Sequence, residues 1–442
     1  MSTVAPNPRV RLPQRPGAPA NMVIRGARIL DPAAGIDRTG DLVIRDGVVG
    51  GDPAGLEVVD GAGLTVIPGI VDVHVHLRTP GKEHAEDIAT GTASAAAGGV
   101  VTVLAMPNTQ PPTDNPSILG SLLERASREA VVPTGFIPAI TVGQQGESLT
   151  EHGDLAEAGA AALSDDGVPV GSALVMRRAL QYQRATGLLF TLHEEDMSLS
   201  GPGVMHEGTV SARIGLAGIP GVSEAVQVAR DCALAGYEDG RIHICHVSAR
   251  ETVDEIRRAK ERGVQVTAEV TPHHLLLTDA VVGDDPDPAR FKMNPPLRSE
   301  DDRQALIEAL VDGTIDVIAT DHAPHPGDEK ESPFAEAPFG VIGLETAFAA
   351  CNTELVLGGR MSLEDLILSM SSRPAEIFGL PVPTLADGAQ ANLALVDLQA
   401  TDTVGERPYA SKSSNAAFEG MSLTGRIVMT LAGGQDVYRR DS

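Results

Sequence analysis

Apolar, β-branched runs recur through the middle of the chain, at 70–77, 100–106, 135–141, 160–164, 188–193, 241–247, 264–270 and 315–320. Most are separated by Ala-, Glu- and Arg-rich stretches with helical spacing, as at 251–262 and 301–310. Short apolar runs read as buried strands and longer amphipathic stretches as helices. Eight such alternations across 67–380 predict an α/β region closed as a (β/α)8 TIM barrel. An open, doubly wound parallel sheet is the competing arrangement, but no G-x-G-x-x-G follows a strand to favour it.

The two ends are patterned differently. Residues 22–66 and 381–442 show short strands broken by Gly, Asp and Pro, at 22–30, 41–45 and 64–67, and again at 391–397 and 423–430. Neither set buries a face alone, so the two are expected to pair as one small β-sandwich flanking the barrel. Residues 1–21 carry Pro and Arg with little periodicity. They are expected to form a disordered, dispensable tail, or to precede an alternative start at Met22.

Composition narrows the function classes. A chain of 442 residues, 42% hydrophobic, can bury a large core, and no apolar run reaches the ~18–20 residues of a membrane span. The basic-then-apolar pattern of a signal peptide is absent from the start, so a cytoplasmic protein without membrane association is expected. The formal net charge of −26 disfavours nucleic acid but admits a small anionic substrate in a locally positive pocket. Cys232, Cys245 and Cys351 stand far apart with no C-x-x-C, so no disulfide framework is expected, and Cys245 reads as a small buried side chain. The lack of Trp and the 3% of aromatics read as compositional bias.

The first run of the middle region ends Asp72-Val73-His74-Val75-His76. Positions i and i+2 of a strand face the same side, so His74 and His76 can present two imidazoles to one divalent metal. Further candidates stand where later runs end: His193 on the fifth, His246 on the sixth, Asp321 on the eighth. In a barrel these positions share the face that carries active sites. Five polar side chains converging there are hard to explain as packing, because burying them unpaired costs several kcal/mol.

This arrangement resembles the amidohydrolase superfamily, which includes dihydroorotases, hydantoinases, allantoinases and ureases. Ring-opening members commonly carry a carboxylated lysine on the fourth strand. Here that stretch is LSDDGV at 163–168, without lysine, and it is similar to bacterial type I dihydroorotases, where an aspartate takes the lysine's place. The resemblance implies Asp166 as the bridging ligand, with Asp165 as runner-up. HLRTPG at 76–81, MPNT at 106–109, KMNPPLR at 292–298, DHAPH at 321–325 and PFGVIG at 338–343 match further motifs of that family, over residues 22–440 or so. Thr79 and Leu163 depart from it, where an acidic residue and Phe are frequent.

The resemblance implies one or two Zn2+ per subunit, held by His74, His76, Asp166, His193, His246 and Asp321. It also implies a substrate site of His76, Arg78, Asn108, Asn294, His325, Phe339 and Gly340, with the Arg78 fork suited to a carboxylate. The expected reaction is reversible cyclisation of N-carbamoyl-L-aspartate to dihydroorotate by a metal-bound hydroxide, in pyrimidine biosynthesis, with Asp321 as the catalytic proton carrier. A homo-oligomer is expected, and association with aspartate transcarbamoylase is possible for such an enzyme. Another cyclic amidase, or a silent homologue scaffolding that transcarbamoylase, are the alternatives. His273, His274 and His322 are left outside the ligand set as loop-ordering or supporting residues. His84, His152, His206 and His243 are expected to be structural or exposed. Residues 326–337 read as an exposed, flexible loop able to act as a lid.

Overall fold

The computed structural model describes residues 6–285 and 288–441. In its middle region, strands Ile70–Val75, Val100–Ala105 and Thr134–Phe136 form one parallel sheet. Strands Phe190–Leu192, Arg241–Ile244, Gln265–Val270 and Val317–Ile318 form another. Residues 160–164 join the two. Ala161 and Ser164 donate backbone N–H groups to Phe136 and Pro138, and Leu163 pairs in parallel with Phe190. At the far end, Val75 pairs in parallel with His322, and His76 N–H reaches the His322 carbonyl at 2.9 Å. Hydrogen bonds therefore run from each of eight segments to the next and back to the first.

Several of these strands are shorter than the apolar runs that announce them. The ladder ends where each chain turns outward into a loop, and those loops carry the polar residues. Helices Ala173–Thr186, Val222–Glu238, Arg250–Glu261 and Glu300–Asp312 lie between successive segments. The last is fixed at its start by a capping box in which Ser299 and Asp302 exchange hydrogen bonds. Outward-facing aliphatics such as Val103, Ile244 and Ile318 pack among residues of the surrounding helices and are almost wholly buried. None of the helices among the described residues is long and apolar enough to cross a membrane.

The terminal segments build a single continuous sheet. Its path runs through Gln435–Arg439, Ser422–Ala432, Leu393–Thr403, Thr65–Pro68, Met22–Asp31, Ile36–Arg45 and Val48–Val49, with Glu57–Asp60 also on Met22–Asp31. Leu393 to Val396 pair antiparallel with Thr65 to Pro68, which joins the two ends of the chain. Met22, Ile24, Ile29, Leu393, Leu395 and Met429 share one apolar cluster, so each segment covers the other's face.

One expectation is overturned. Residues 6–21 are not a disordered tail; they are threaded along the molecule. Asn7, Arg11 and Arg15 donate backbone N–H groups to Gly379, Gly159 and Ala130, and Thr134 donates to Pro13. Gln14 Nε2 bridges the Val131 and Ala432 carbonyls at 2.8 and 3.1 Å. Val10 and Leu12 pack against an apolar cluster that includes Leu104 and Ala161. The segment lacks periodicity because it pairs through extended backbone and scattered side chains. The remainder of the expected tail, residues 1–5, lies outside the described residues.

Candidate metal centre

Backbone strain gathers where the strands end. Arg78, His246 and Asp321 all adopt positive φ, at 55°, 31° and 48°. Such conformations cost an L residue energy and persist where surrounding structure enforces them. They turn three polar side chains toward one point at the open end of the ring.

Six side chains meet there, all buried. His74, His76 and Asp321 offer nitrogen and oxygen atoms within 4.8 Å of one another, and so do Asp166, His193 and His246. Asp166 lies between the two groups. Its carboxylate stands 3.4 Å from His74 Nε2, 3.6 Å from His76 Nε2, 3.7 Å from His246 Nε2 and 3.9 Å from His193 Nδ1. Asp165 points elsewhere. It accepts from the Ile140 and Thr141 backbone at 2.8 and 3.0 Å and from the Thr141 hydroxyl.

The rings are oriented from behind. His74 Nδ1 lies 2.6 Å from Glu269, His76 Nδ1 2.8 Å from Asn108 Oδ1, and His193 Nε2 3.2 Å from Glu195. Each acceptor draws the ring proton to the outer nitrogen and leaves the inner lone pair facing the cluster. Those inner atoms then crowd one another. His193 Nδ1 is 3.0 Å from His246 Nε2, and His76 Nε2 is 2.9 Å from Asp321 Oδ1. His74 Nε2 and Asp166 Oδ1 are buried without a hydrogen-bond partner. Lone pairs confronting lone pairs at these distances call for a shared cation, so the donor set fits a divalent metal.

Burial opposes ionisation of Asp321, but the neighbouring His74 and His76 imidazoles outweigh it and hold the carboxyl at about 2. The Asp166 carboxyl is kept well below its ordinary range by the same imidazoles, against burial. Cys245 Sγ sits within reach of His74 and Asp166, but burial pushes its thiol up to about 12, so it stays neutral and ligates poorly.

A cavity of about 180 Å³ opens over the cluster, lined by Arg78, Asn108, Asn294, Phe339 and Gly340 among others. Arg78 is buried, with Nε donating to the Pro324 carbonyl at 3.1 Å and Nη2 3.1 Å from His325 Nε2. His325 also touches the Phe339 carbonyl at 2.9 Å and Glu329 at 2.9 Å. Asn108 Nδ2 donates to Asp166 at 3.1 Å, and Asn294 Nδ2 donates to Glu195 at 2.9 Å.

Sequence reasoning missed Glu269, Glu195 and Glu86. Glu269 is fully buried and holds both His74 and His243, the latter at 3.1 Å. Glu86 accepts from the Thr90 and Ser411 hydroxyls and faces His322 at 3.5 Å. The available signal was an acid inside an apolar run, as in Val266-Thr267-Ala268-Glu269-Val270. His274 is locked between Thr271 and the Pro295 carbonyl, while buried His273 Nε2 has no hydrogen-bond partner.

The segment 326–337 also differs from expectation. Much of its backbone is exposed, but Lys330 is buried and donates to the Ala289, Lys292 and Pro338 carbonyls at 3.2, 3.0 and 2.8 Å. Lys292 Nζ holds the Phe334 and Ala335 carbonyls at 2.7 and 3.1 Å. The stretch is pinned at Lys330 and at Phe334–Ala335.

Residues 63–252 match a family model described as dihydro-orotase-like. A dihydroorotase of Anaeromyxobacter dehalogenans is 47% identical over 426 residues, covering 95% of this chain and 98% of that protein. One from Geobacter metallireducens is 46% identical over 427 residues, covering 95% of this chain and all of its own. Among solved structures, a dihydropyrimidinase from Brevibacillus agri superposes with a TM-score of 0.83 at 22% identity, over 95% of each chain. An L-hydantoinase from Arthrobacter aurescens gives 0.82 at 26%, over 96% of this chain and 97% of its own.

Proposed function

The chain belongs to the dihydroorotase family, and from that premise we propose that its ring of eight segments is a (β/α)8 barrel carrying a zinc-dependent active site at its open end. Its activity is that of a dihydroorotase, interconverting N-carbamoyl-L-aspartate and dihydroorotate. His74, His76 and Asp321 would hold one metal, His193 and His246 a second, with Asp166 shared between them. Asp166 carries this reading: its buried Oδ1 has no hydrogen-bond partner and faces the imidazoles, on a segment that has no lysine to carboxylate.

A bound divalent cation supplies Lewis acidity and lowers the pKa of water to roughly 7. The chain's own residues do the rest. Arg78, with His325 beside it, receives the substrate carboxylate in a buried positive corner. Asn294 and the Phe339–Gly340 backbone receive the ring's amide edge. In hydrolysis, water adds to the ring carbonyl carbon. Asp321, ionised at neutral pH, takes the proton of that water and passes it to the ring nitrogen as the C–N bond breaks. In cyclisation the ureido nitrogen gives its proton to Asp321 while attacking the side-chain carboxyl carbon, and Asp321 returns that proton to the departing hydroxyl, which leaves as water.

The test is zinc analysis of purified protein, with dihydroorotate hydrolysis measured before chelation, after it, and after zinc is restored. Activity should vanish with the metal and return with it, and Asp166→Ala should lose both. Undiminished turnover in a metal-free preparation would refute the metal assignment. Faster opening of hydantoin than of dihydroorotate would refute the substrate.

A further inference from the structure

Asn415 belongs to the C-terminal segment, far along the chain from every residue assigned above, yet it ends up hydrogen-bonded to two residues of the proposed substrate site. Its side chain is nearly fully buried, with a relative exposure of 7%. The carboxamide oxygen accepts the backbone N–H of His325 at 3.2 Å, and the carboxamide nitrogen donates to the Gly340 carbonyl at 3.1 Å. The Asn415 carbonyl accepts from Ile342 N–H at 3.2 Å. One side chain therefore ties together two separate turns, each bearing a residue of the proposed substrate site.

We propose that Asn415 is a positioning residue that sets the spacing of the His325 and Phe339–Gly340 turns, and so fixes the corner that receives the substrate carboxylate. An amide suits the task because it offers one acceptor and one donor in a fixed plane. Aspartate would keep the first bond and set an oxygen against the Gly340 carbonyl, and alanine would lose both. The turns need a common tie. His325 Nε2 must lie near both Arg78 Nη2 and the Phe339 carbonyl, and Gly340 sits at φ 136° with Ala323 and His325 close around it. The residues leading to Asn415 are themselves anchored. Ser411 bonds to Glu86, the Ala410 and Ser411 N–H groups reach Glu345 at 2.9 and 3.3 Å, and Ser413 Oγ bonds the Ala85 carbonyl at 2.8 Å. The tie is thus held by a segment that is itself bonded to the residues just before helix Ile88–Ala97 and to Glu345.

The inference rests on Arg78 and His325 forming the carboxylate corner, and the experiment separates the two ideas. Zinc-loaded parent, Asn415→Ala, Asn415→Ser and Arg78→Lys are compared for KM and kcat on dihydroorotate, zinc content, and calorimetric affinity for orotate, a planar ring with the same carboxylate. We expect both Asn415 variants to keep their zinc and a kcat within about twofold, while KM and the orotate Kd rise about tenfold, the effect of losing roughly one positioned hydrogen bond. Unchanged KM and orotate affinity in a folded Asn415 variant would overturn the proposal. So would parallel loss of kcat and zinc, which marks a purely structural role. If Asn415→Ala fails to fold, Asn415→Ser decides by the same criteria. If Arg78→Lys leaves orotate affinity intact, the carboxylate corner itself is wrong and the proposal falls with it.

Discussion

An imidazole ligates only through a nitrogen that carries no proton, so the groups behind each ring matter as much as those in front. Glu269 is the strongest case, because it fixes His74 at 2.6 Å and also accepts from His246 N–H at 3.3 Å. Replacing it by Gln removes the charge that favours the His74 Nδ1–H tautomer. Zinc affinity of Glu269→Gln should drop about 10–100-fold, read by competition with a chelator of known affinity. Asp321→Asn is expected to bind zinc and substrate but to lose at least about a hundredfold in kcat, because the amide cannot carry the proton. A folded Asn variant turning over at the parent rate would remove Asp321 from the mechanism. The clustered histidines stood out in the sequence because imidazoles recur where apolar runs stop. Glu269 was not, because a lone acid in a strand has no spacing signature and its partner is 195 residues away.

Among the elements, the most instructive difference concerns 326–337. Gly, Asp, Glu and Lys in one stretch read as solvent-exposed loop, and composition cannot show that one lysine among them turns inward onto three carbonyls. In an unfolded chain that lysine ionises near pH 10.4 or so. In the fold, burial first, then the charges of Lys292 and Arg78, bring it down to about 7. Between those two values the unfolded chain binds more protons than the folded one, so this group makes stability rise with pH from 7 to about 10. The parent should gain thermal stability relative to Lys330→Met across that window. A difference between the two that stays flat with pH would show that Lys330 remains fully charged in the fold. The alternating runs of the ring were readable in advance, since period and flanking turns are local. Their exact hydrogen-bonded lengths were not, because those depend on where a neighbouring strand leaves.

At the scale of the molecule, the N-terminal stretch acts as a strap. It joins Gly379, Gly159 and Ala130, each just beyond the end of a helix, to Gly434 in a turn of the terminal sheet, the last through Ala20 N–H. A chain beginning at Met22 would leave several of these carbonyls without partners and uncover Leu12's contacts. It should melt several degrees lower than the parent while retaining zinc; an unaltered melting temperature would restore the view of this stretch as dispensable. The two chain ends were expected to pair because each lacked a partner for its apolar face, but as a small sandwich, where the chain instead forms one continuous sheet. The strap was not expected, because it buries no periodic stripe.

The ring closes where the first segment meets the eighth, and the same place brings His76 to Asp321 across 245 residues of sequence. On the ribosome, the first two histidines emerge long before the aspartate that completes their triad has been made. Until then the imidazoles and carboxylates are scattered along an open chain, where no trio of them is assembled to retain an ion. If these residues hold zinc as proposed, the His74–His76–Asp321 trio can take up its metal only at the end of synthesis, and a product truncated before Asp321 would carry the two histidines without that site.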